Sequence, residues 1–137
     1  MSPLRLLGII LLGLALEACD RRPPAVPGPT REQQIKEGMA RARLGTEGFI
    51  LILQSGKASD CQVLLQAEDH GKTELIWLRD LTYMDGKFSG IPTNAASIVG
   101  NVKDGERIEV RKEDICDWMY WEGDNIYGNF TWVDVEP

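Results

Sequence analysis

The chain shows three hydrophobic patterns in succession: an apolar run near its start, helical spacing up to residue 53, and short apolar segments from residue 61 onward. In the second pattern, Ile35, Met39 and Ala42 recur at spacings of four and three, which places them on one helical face. Thr30 precedes them as an N-cap, with Gln33 as its capping-box partner. These signals predict a helix that opens the folded part of the chain.

The predicted helix covers residues 31–44 and ends near Gly45, because glycine is common just past the C-terminus of a helix. The next apolar run, residues 49–53, fits a helix or a strand by periodicity alone. We favour a short second helix for this run.

Beyond these helices the apolar segments are short and are separated by turn residues. The predicted strands are residues 61–67, 74–79, 87–91, 107–111, 115–121 and 126–135. The turns between them carry Asp, Asn and Gly, at residues 69–71, 85–86, 104–105 and 123–125. The chain is therefore predicted to be an α+β protein, with an N-terminal helix or helices packed on a small, largely antiparallel sheet.

The first apolar run is typical of an export signal. Arg5 supplies a positive charge, residues 6–16 are apolar, and the run stops at Glu17. A membrane-spanning helix needs about 20 apolar residues, so a retained transmembrane helix is the weaker interpretation.

The end of this run resembles a bacterial lipoprotein signal. Leu16 and Ala18 stand at the expected distances before Cys19, which is predicted to be the lipid attachment site. Glu17 replaces the usual small or hydroxylated residue, and ordinary secretion or an uncleaved anchor are the alternatives. Asp20 resembles a signal that retains lipoproteins in the inner membrane. The predicted location is the periplasmic side of the cell membrane, where the acyl chains, such as palmitate, hold the protein.

Three segments follow from these patterns. Residues 1–18 form the signal peptide, residues 19–30 hold the lipidated cysteine and a Pro-rich tether, and residues 31–137 form a single α+β domain. Prolines restrict the tether toward the polyproline II conformation. At about 3.1 Å per residue, its eleven residues after Cys19 extend over roughly 30 Å.

Charge is distributed unevenly around a formal total of −6. Residues 20–43 hold six basic and three acidic side chains, a net charge of +3, whereas residues 44–137 hold eight and seventeen, a net charge of −9. Anionic headgroups attract basic residues near a membrane, and an acidic body is repelled by phosphate surfaces. The uneven charge fits a basic segment beside the membrane, and a role in solubility alone explains it equally well. We expect the membrane as a partner through the lipid anchor, and no nucleic acid.

Few residues offer catalytic or metal chemistry. The only histidine, His70, lies in a polar turn, and no zinc, calcium, phosphate-loop or nucleotide motif is present, so we predict no cofactor, metal or catalytic residue. Asp114 and Asp117 are the one enzyme-compatible pair, suited in principle to glycan hydrolysis. Their odd spacing places them on opposite faces of a strand, which argues against joint action.

Aromatic residues are the better functional candidates, because six of the ten lie between positions 118 and 132. Core packing explains most of this cluster, and an exposed platform for a protein or glycan is the alternative. The candidate binding face consists of Trp77, Asp117, Trp118, Tyr120, Tyr127 and Asn129.

Two segments of this region carry a family resemblance. Residues 114–120 read D-I-C-D-W-M-Y and residues 126–131 read I-Y-G-N-F-T, which resembles the I-S-D-W-M-Y and G-G-[FY]-T signature of the domain of unknown function 2314 (YegJ-like) family. Cys116 and Asn129 depart from the usual Ser and Gly. The resemblance covers residues 36–133 and implies one compact α+β domain, and the family has no agreed activity.

Cys61 and Cys116 remain as a pair once Cys19 carries lipid. In an oxidising compartment a disulfide between them would add about 4 kcal/mol in the chain-entropy model. Two free thiols in apolar strands explain the sequence equally well.

These observations favour a non-catalytic, lipid-tethered periplasmic module that binds another envelope component, protein or glycan, through its aromatic face. An envelope glycan hydrolase that uses Asp114 and Asp117 is the alternative from a different class. A third hypothesis is an inhibitor or immunity protein whose acidic body masks a basic toxin.

Overall fold

A computed structural model of the protein describes residues 27–94 and 96–133. The predicted signal peptide, Cys19 and residues 20–26 of the predicted tether lie outside this described part. One helix precedes a six-stranded antiparallel sheet, which confirms the α+β class. None of the helices in the described ranges has both the length and the apolar character that crossing a membrane requires.

The helix, α1 (Arg31–Ser55), begins as predicted. The backbone N–H of Gln33 donates to Thr30 Oγ1, and the backbone N–H of Thr30 donates to Gln33 Oε1. This capping box satisfies two donors that the first turn of a helix would otherwise leave without partners.

The end of α1 differs from the prediction. The helix runs through Gly45 without a break and ends at Gly56, whose φ of 70° is the left-handed conformation of a glycine cap. Residues 49–53 therefore continue α1 and do not form a second helix. Burial of Phe49 and Ile50 against the sheet holds this last part of the helix in place.

The sheet has the strand order β4-β3-β2-β1-β5-β6, and every neighbouring pair is antiparallel. A 3-10 turn, Lys112–Asp114, joins β4 to β5. The strands are β1 (Ser59–Asp69), β2 (Lys72–Met84), β3 (Lys87–Pro92), β4 (Ile108–Arg111), β5 (Ile115–Glu122) and β6 (Asn125–Gly128).

Turn chemistry sets the hairpins as predicted. Asp85 and Gly86, with φ values of 52° and 77°, connect β2 to β3 in a two-residue turn. The last strand is shorter than predicted, because Gly128 and Asn129 both adopt positive φ and turn the chain out of the sheet. The predicted strand over residues 126–135 therefore ends at Gly128, and its last two residues lie outside the described part.

We call the face of the sheet covered by α1 the inner face and the opposite one the outer face. The core fills the space between α1 and the inner face, and the loop between β3 and β4 closes one end of it with Val99. The core side chains with the smallest exposure are Ala42, Phe49, Val63, Leu78 and Phe88.

Candidate functional site

The six residues of the predicted binding face do not form one surface. Trp77 and Asp117 both pair with Leu64 of β1, so these three side chains form a row on the outer face. Trp118, next along β5, points to the inner face. The structure thus separates Trp77 and Asp117 from the aromatic residues with which they were grouped.

Trp118 belongs to the core. It is 8% exposed, and its indole Nε1 donates to the carbonyl oxygen of Ala42 at 2.9 Å. Its ring stacks on Phe49, with centroids 5.2 Å apart, and meets the edge of Phe130 at 5.3 Å. These contacts fix α1 to the sheet. They also bury the Trp118 side chain, so it does not contact a partner protein directly.

Close approach of α1 to Trp118 requires small residues on the helix. A Cβ atom at Gly45 would lie 2.6 Å from Trp118 Cζ2, and one at Gly38 would lie 2.2 Å from the carbonyl oxygen of Phe130. Gly45 is therefore a packing residue of a continuous helix, which is why the prediction of a helix end there was wrong.

Asp117 is a buried structural carboxylate with 0% exposure. Its Oδ1 accepts the backbone N–H of Trp118 at 2.8 Å, and its Oδ2 accepts both the backbone N–H and the hydroxyl of Thr131, at 2.9 and 2.7 Å. Three donors from the chain itself compensate for the burial of the charge. Asp117 thus fastens the segment after β6 to β5.

Asn129 lies in the turn that follows β6, the segment that Asp117 fastens to β5. Its backbone N–H donates to the carbonyl oxygen of Trp118 at 2.8 Å, and its carbonyl oxygen accepts the backbone N–H of Trp132 at 3.3 Å. At Gly128, φ is 80° and a Cβ atom would lie 2.2 Å from the Trp118 carbonyl oxygen, so a side chain does not fit. The D-W-M-Y and G-N-F-T segments therefore meet as one structural unit.

Tyr120 and Tyr127 are the members of the predicted face that reach the surface together. Their rings stack with centroids 5.1 Å apart, and Tyr127 is 41% exposed. Ile126, on the opposite side of β6, is 43% exposed. We call Tyr120, Ile126 and Tyr127 the β6 edge surface. Burial, followed by the charge of Glu122, raises the pKa of Tyr120, so its hydroxyl stays protonated at neutral pH.

Trp77 borders a separate groove of about 270 Å³, which lies between β2 and the β3–β4 loop. Leu75, Thr93, Asn94 and Ser97 also line this groove. Trp77 is half-buried, and its carbonyl oxygen accepts the backbone N–H of Thr93 at 2.9 Å. It shares no surface with the β6 edge.

Asp114 and Asp117, the alternative catalytic pair, have different surroundings. Asp114 is half exposed in the 3-10 turn, where its Oδ2 accepts from Arg111 Nε at 2.8 Å. Asp117 is buried and faces Thr131. A substrate at Asp114 would not contact Asp117 without unfolding this part of the chain.

Both candidate disulfide cysteines are free. Cys61 precedes Gln62, which pairs with Met119, so Cys61 and Cys116 lie roughly 10–13 Å apart along the strands. A disulfide needs Cα atoms within about 7 Å, so the alternative of a bridge is wrong for this structure. Burial raises the pKa of both thiols, which keeps them protonated at neutral pH.

Glu74 has a structural role that the sequence patterns did not reveal. Its two oxygens accept the backbone N–H groups of Ser97, Ile98 and Val99 at 3.0 to 3.2 Å, and the hydroxyl of Ser97 at 2.9 Å. These hydrogen bonds lower its pKa to about 2. The carboxylate holds the β3–β4 loop over the core, and a contact across 23 residues leaves no local signal.

Comparison with known proteins gives a consistent family assignment. Residues 32–135 match the family described as an uncharacterized protein conserved in bacteria (DUF2314). The chain is 41% identical, over 106 residues, to the uncharacterized protein YegJ of Escherichia coli (strain K12), an alignment that covers 77% of this chain and 69% of that protein. No solved structure matches the chain. This protein therefore belongs to the DUF2314 family.

Proposed function

We propose that this protein is a membrane-tethered periplasmic lipoprotein and a non-catalytic binding module, which receives an extended strand of an envelope protein at the β6 edge surface. The lipoprotein signal before Cys19 supports the address. The observation that carries the binding role is the uncharged, apolar character of the β6 edge.

The two edges of the sheet differ in this respect. The edge strand β4 carries Glu109 and Arg111, the kind of charged residue that keeps an edge from pairing with another chain. The edge strand β6, Asn125–Gly128, contains no charged residue and exposes apolar side chains on both faces. An added strand would gain backbone hydrogen bonds from β6 and side-chain contacts from Ile126 and Tyr127.

The stacked rings behind β6 make this edge rigid. Tyr127 rests on Tyr120, which stacks on Phe49 at 6.2 Å and on Trp118 at 6.0 Å. A partner that contacts Tyr127 therefore binds a preformed platform and loses little of its affinity to ordering the surface. This position suits a binding role better than the buried Trp118 does.

Acid–base hydrolysis has less support. Both oxygens of Asp117 are occupied by donors within the chain, and the side chain is buried. A hydrolase mechanism would have to place a substrate where Thr131 and its backbone now lie.

Photocrosslinking in intact cells tests the proposal. A photoreactive amino acid placed at position 126 is expected to crosslink one discrete envelope protein, and the same group at position 109 on the opposite edge is not. Ile126→Lys, which adds an edge-guarding charge, should abolish a crosslink from position 127, whereas Glu109→Lys should leave it unchanged. Equal crosslinking from both edges would contradict a specific site on β6.

A further inference from the structure

We propose that the exposed face of α1 around Leu44 and Leu51 docks on the surface of an anionic phospholipid bilayer. This inference rests on the proposed lipid attachment at Cys19. It extends that proposal from an anchor that merely holds the domain to one that orients it.

An apolar strip runs along the side of α1 that faces away from the sheet. Leu44 is 90% exposed and Leu51 is 69% exposed, and their spacing of seven residues places them on the same face two turns apart. Ala40 and Gly48 are exposed beside them, and nothing lies within 4 Å of where a Gly48 side chain would be. Glu47 also lies on this face between the two leucines, and its Oε1 accepts from Lys112 Nζ at 2.8 Å, so its charge is paired with a lysine of the 3-10 turn.

Basic side chains border this strip. Arg41 and Arg43 are both exposed on the turn that precedes Leu44. The whole of α1, residues 31–55, carries four basic and three acidic side chains, a net charge of +1, whereas residues 56–137 carry −8. An anionic bilayer attracts the start of α1 and repels the acidic sheet, so the field of the molecule favours the orientation with α1 toward the lipid.

The tether brings this face within reach of the membrane. Eleven residues separate Cys19 from Arg31, and at about 3.1 Å per residue they span roughly 30 Å. Leu44 lies 13 residues into α1, about 20 Å along its axis. A lipidated Cys19 therefore holds the strip at a high effective concentration above the bilayer, where weak docking by two leucines and two arginines suffices.

A bilayer fits the strip better than a second copy of the chain does. Two leucines from each copy provide much less area than the roughly 1,200 Å² that a stable protein–protein interface buries, and the guanidinium groups of Arg41 from both copies would add positive charge to it. Headgroup phosphates accept the same guanidinium groups while the leucines enter the acyl boundary.

Spin-label accessibility on the full, lipidated protein tests the inference. The label is attached at Gly48→Cys, between the leucines, and for comparison at Met84→Cys, where the native side chain is 73% exposed on β2. The protein without added cysteines supplies the background from Cys61 and Cys116. Vesicles of phosphatidylethanolamine with phosphatidylglycerol are compared with vesicles of phosphatidylcholine.

We expect the label at position 48 to become accessible to lipid-soluble oxygen and protected from a water-soluble nickel complex on the anionic vesicles only. High salt should reverse this change, and the label at position 84 should stay in water. The paired substitutions Leu44→Ser and Leu51→Ser, both at exposed positions, should abolish the change at position 48 while flotation with the vesicles is retained.

Three outcomes would overturn the inference in distinguishable ways. Retained flotation with a water-exposed label at position 48 would leave the anchor standing and refute docking. Spin–spin broadening at position 48 that does not depend on lipid would assign the strip to a second copy. Loss of flotation would refute the anchor, and the docking of α1 would fall with it.

Discussion

Asp117 and Trp118 are neighbours on β5, yet they stabilise different contacts on opposite faces of the sheet. Trp118 connects β5 to α1 through the Ala42 carbonyl, and Asp117 connects β5 to the turn after β6 through Thr131. Each residue joins parts of the chain that are distant in sequence. The D-W pair therefore acts as a structural joint, and this explains why its polar atoms are buried.

The substitution Asp117→Asn tests this role. It removes the charge that three donors share, and we expect it to lower the free energy of unfolding by about 1.5–3 kcal/mol, the range for hydrogen bonds to charged groups. The measurement is urea unfolding followed by tryptophan fluorescence. The control is Asp114→Asn on the exposed ion pair with Arg111, for which about 0–1 kcal/mol is expected. Equal losses for the two variants would contradict a structural role specific to Asp117.

Glu74 is a second single residue whose contribution to the stability of the fold we expect to depend on pH. Its pKa of about 2 in the folded protein lies below the ordinary value of 4.5. The fold thus favours the charged form, so this stabilisation is present above pH 4.5 and is lost as the pH falls through about 2. Glu74→Gln should lower the thermal midpoint at pH 7 and have a much smaller effect near pH 2.

Glu68→Gln, an exposed glutamate on the adjacent strand, is the matched control for Glu74→Gln. In this control, the thermal midpoint should differ between pH 7 and pH 2 by the same amount as in the unaltered chain. A Glu74→Gln effect of the same size at pH 7 and pH 2 would show that the carboxylate charge does not hold the loop.

At the scale of elements, local patterns predicted the sheet well and the helix only in part. Hairpin turns such as Asp85–Gly86 depend on backbone conformations that particular residues adopt, so the sequence reveals them. The length of α1 depends on which surface Gly45 packs against, and that surface, Trp118, comes from a strand 73 residues later. A glycine selected for close approach and a glycine that ends a helix look the same in a single sequence.

The candidate site was also predicted only in part. The sequence indicated that residues 118–130 matter, because aromatic residues and a family signature gather there. It did not separate buried from exposed members, since that depends on strand register and on where α1 lies. The register also excludes a bridge between Cys61 and Cys116, which the count of cysteines alone left open.

Two glycines of α1 give a matched test of the helix packing. Gly45→Ala places a methyl group 2.6 Å from Trp118 Cζ2, and we expect overpacking to cost about 1–3 kcal/mol of unfolding free energy. Gly48→Ala meets no atom within 4 Å, so its better helix propensity should add up to about 1 kcal/mol. Denaturant unfolding of both variants measures the two values. Stabilisation by Gly45→Ala would contradict the close approach of α1 to Trp118.

At the scale of the whole molecule, charge and connectivity suggest a division of labour. The basic start of α1 follows the predicted tether, and the acidic sheet lies farther along the chain with its β6 edge uncharged. In the proposed arrangement the lipid and α1 face the bilayer, while the β6 edge surface is available to a strand of another envelope protein. Both proposals depend on one covalent event at Cys19.

Mass spectrometry of the mature protein isolated from cell membranes therefore tests this arrangement most directly. We expect a chain that begins at Cys19 and carries acyl groups there, and we expect Cys19→Ser to yield protein without them. An unmodified Cys19 that still follows an intact segment of residues 1–18, on protein recovered from the cytosol, would contradict this arrangement.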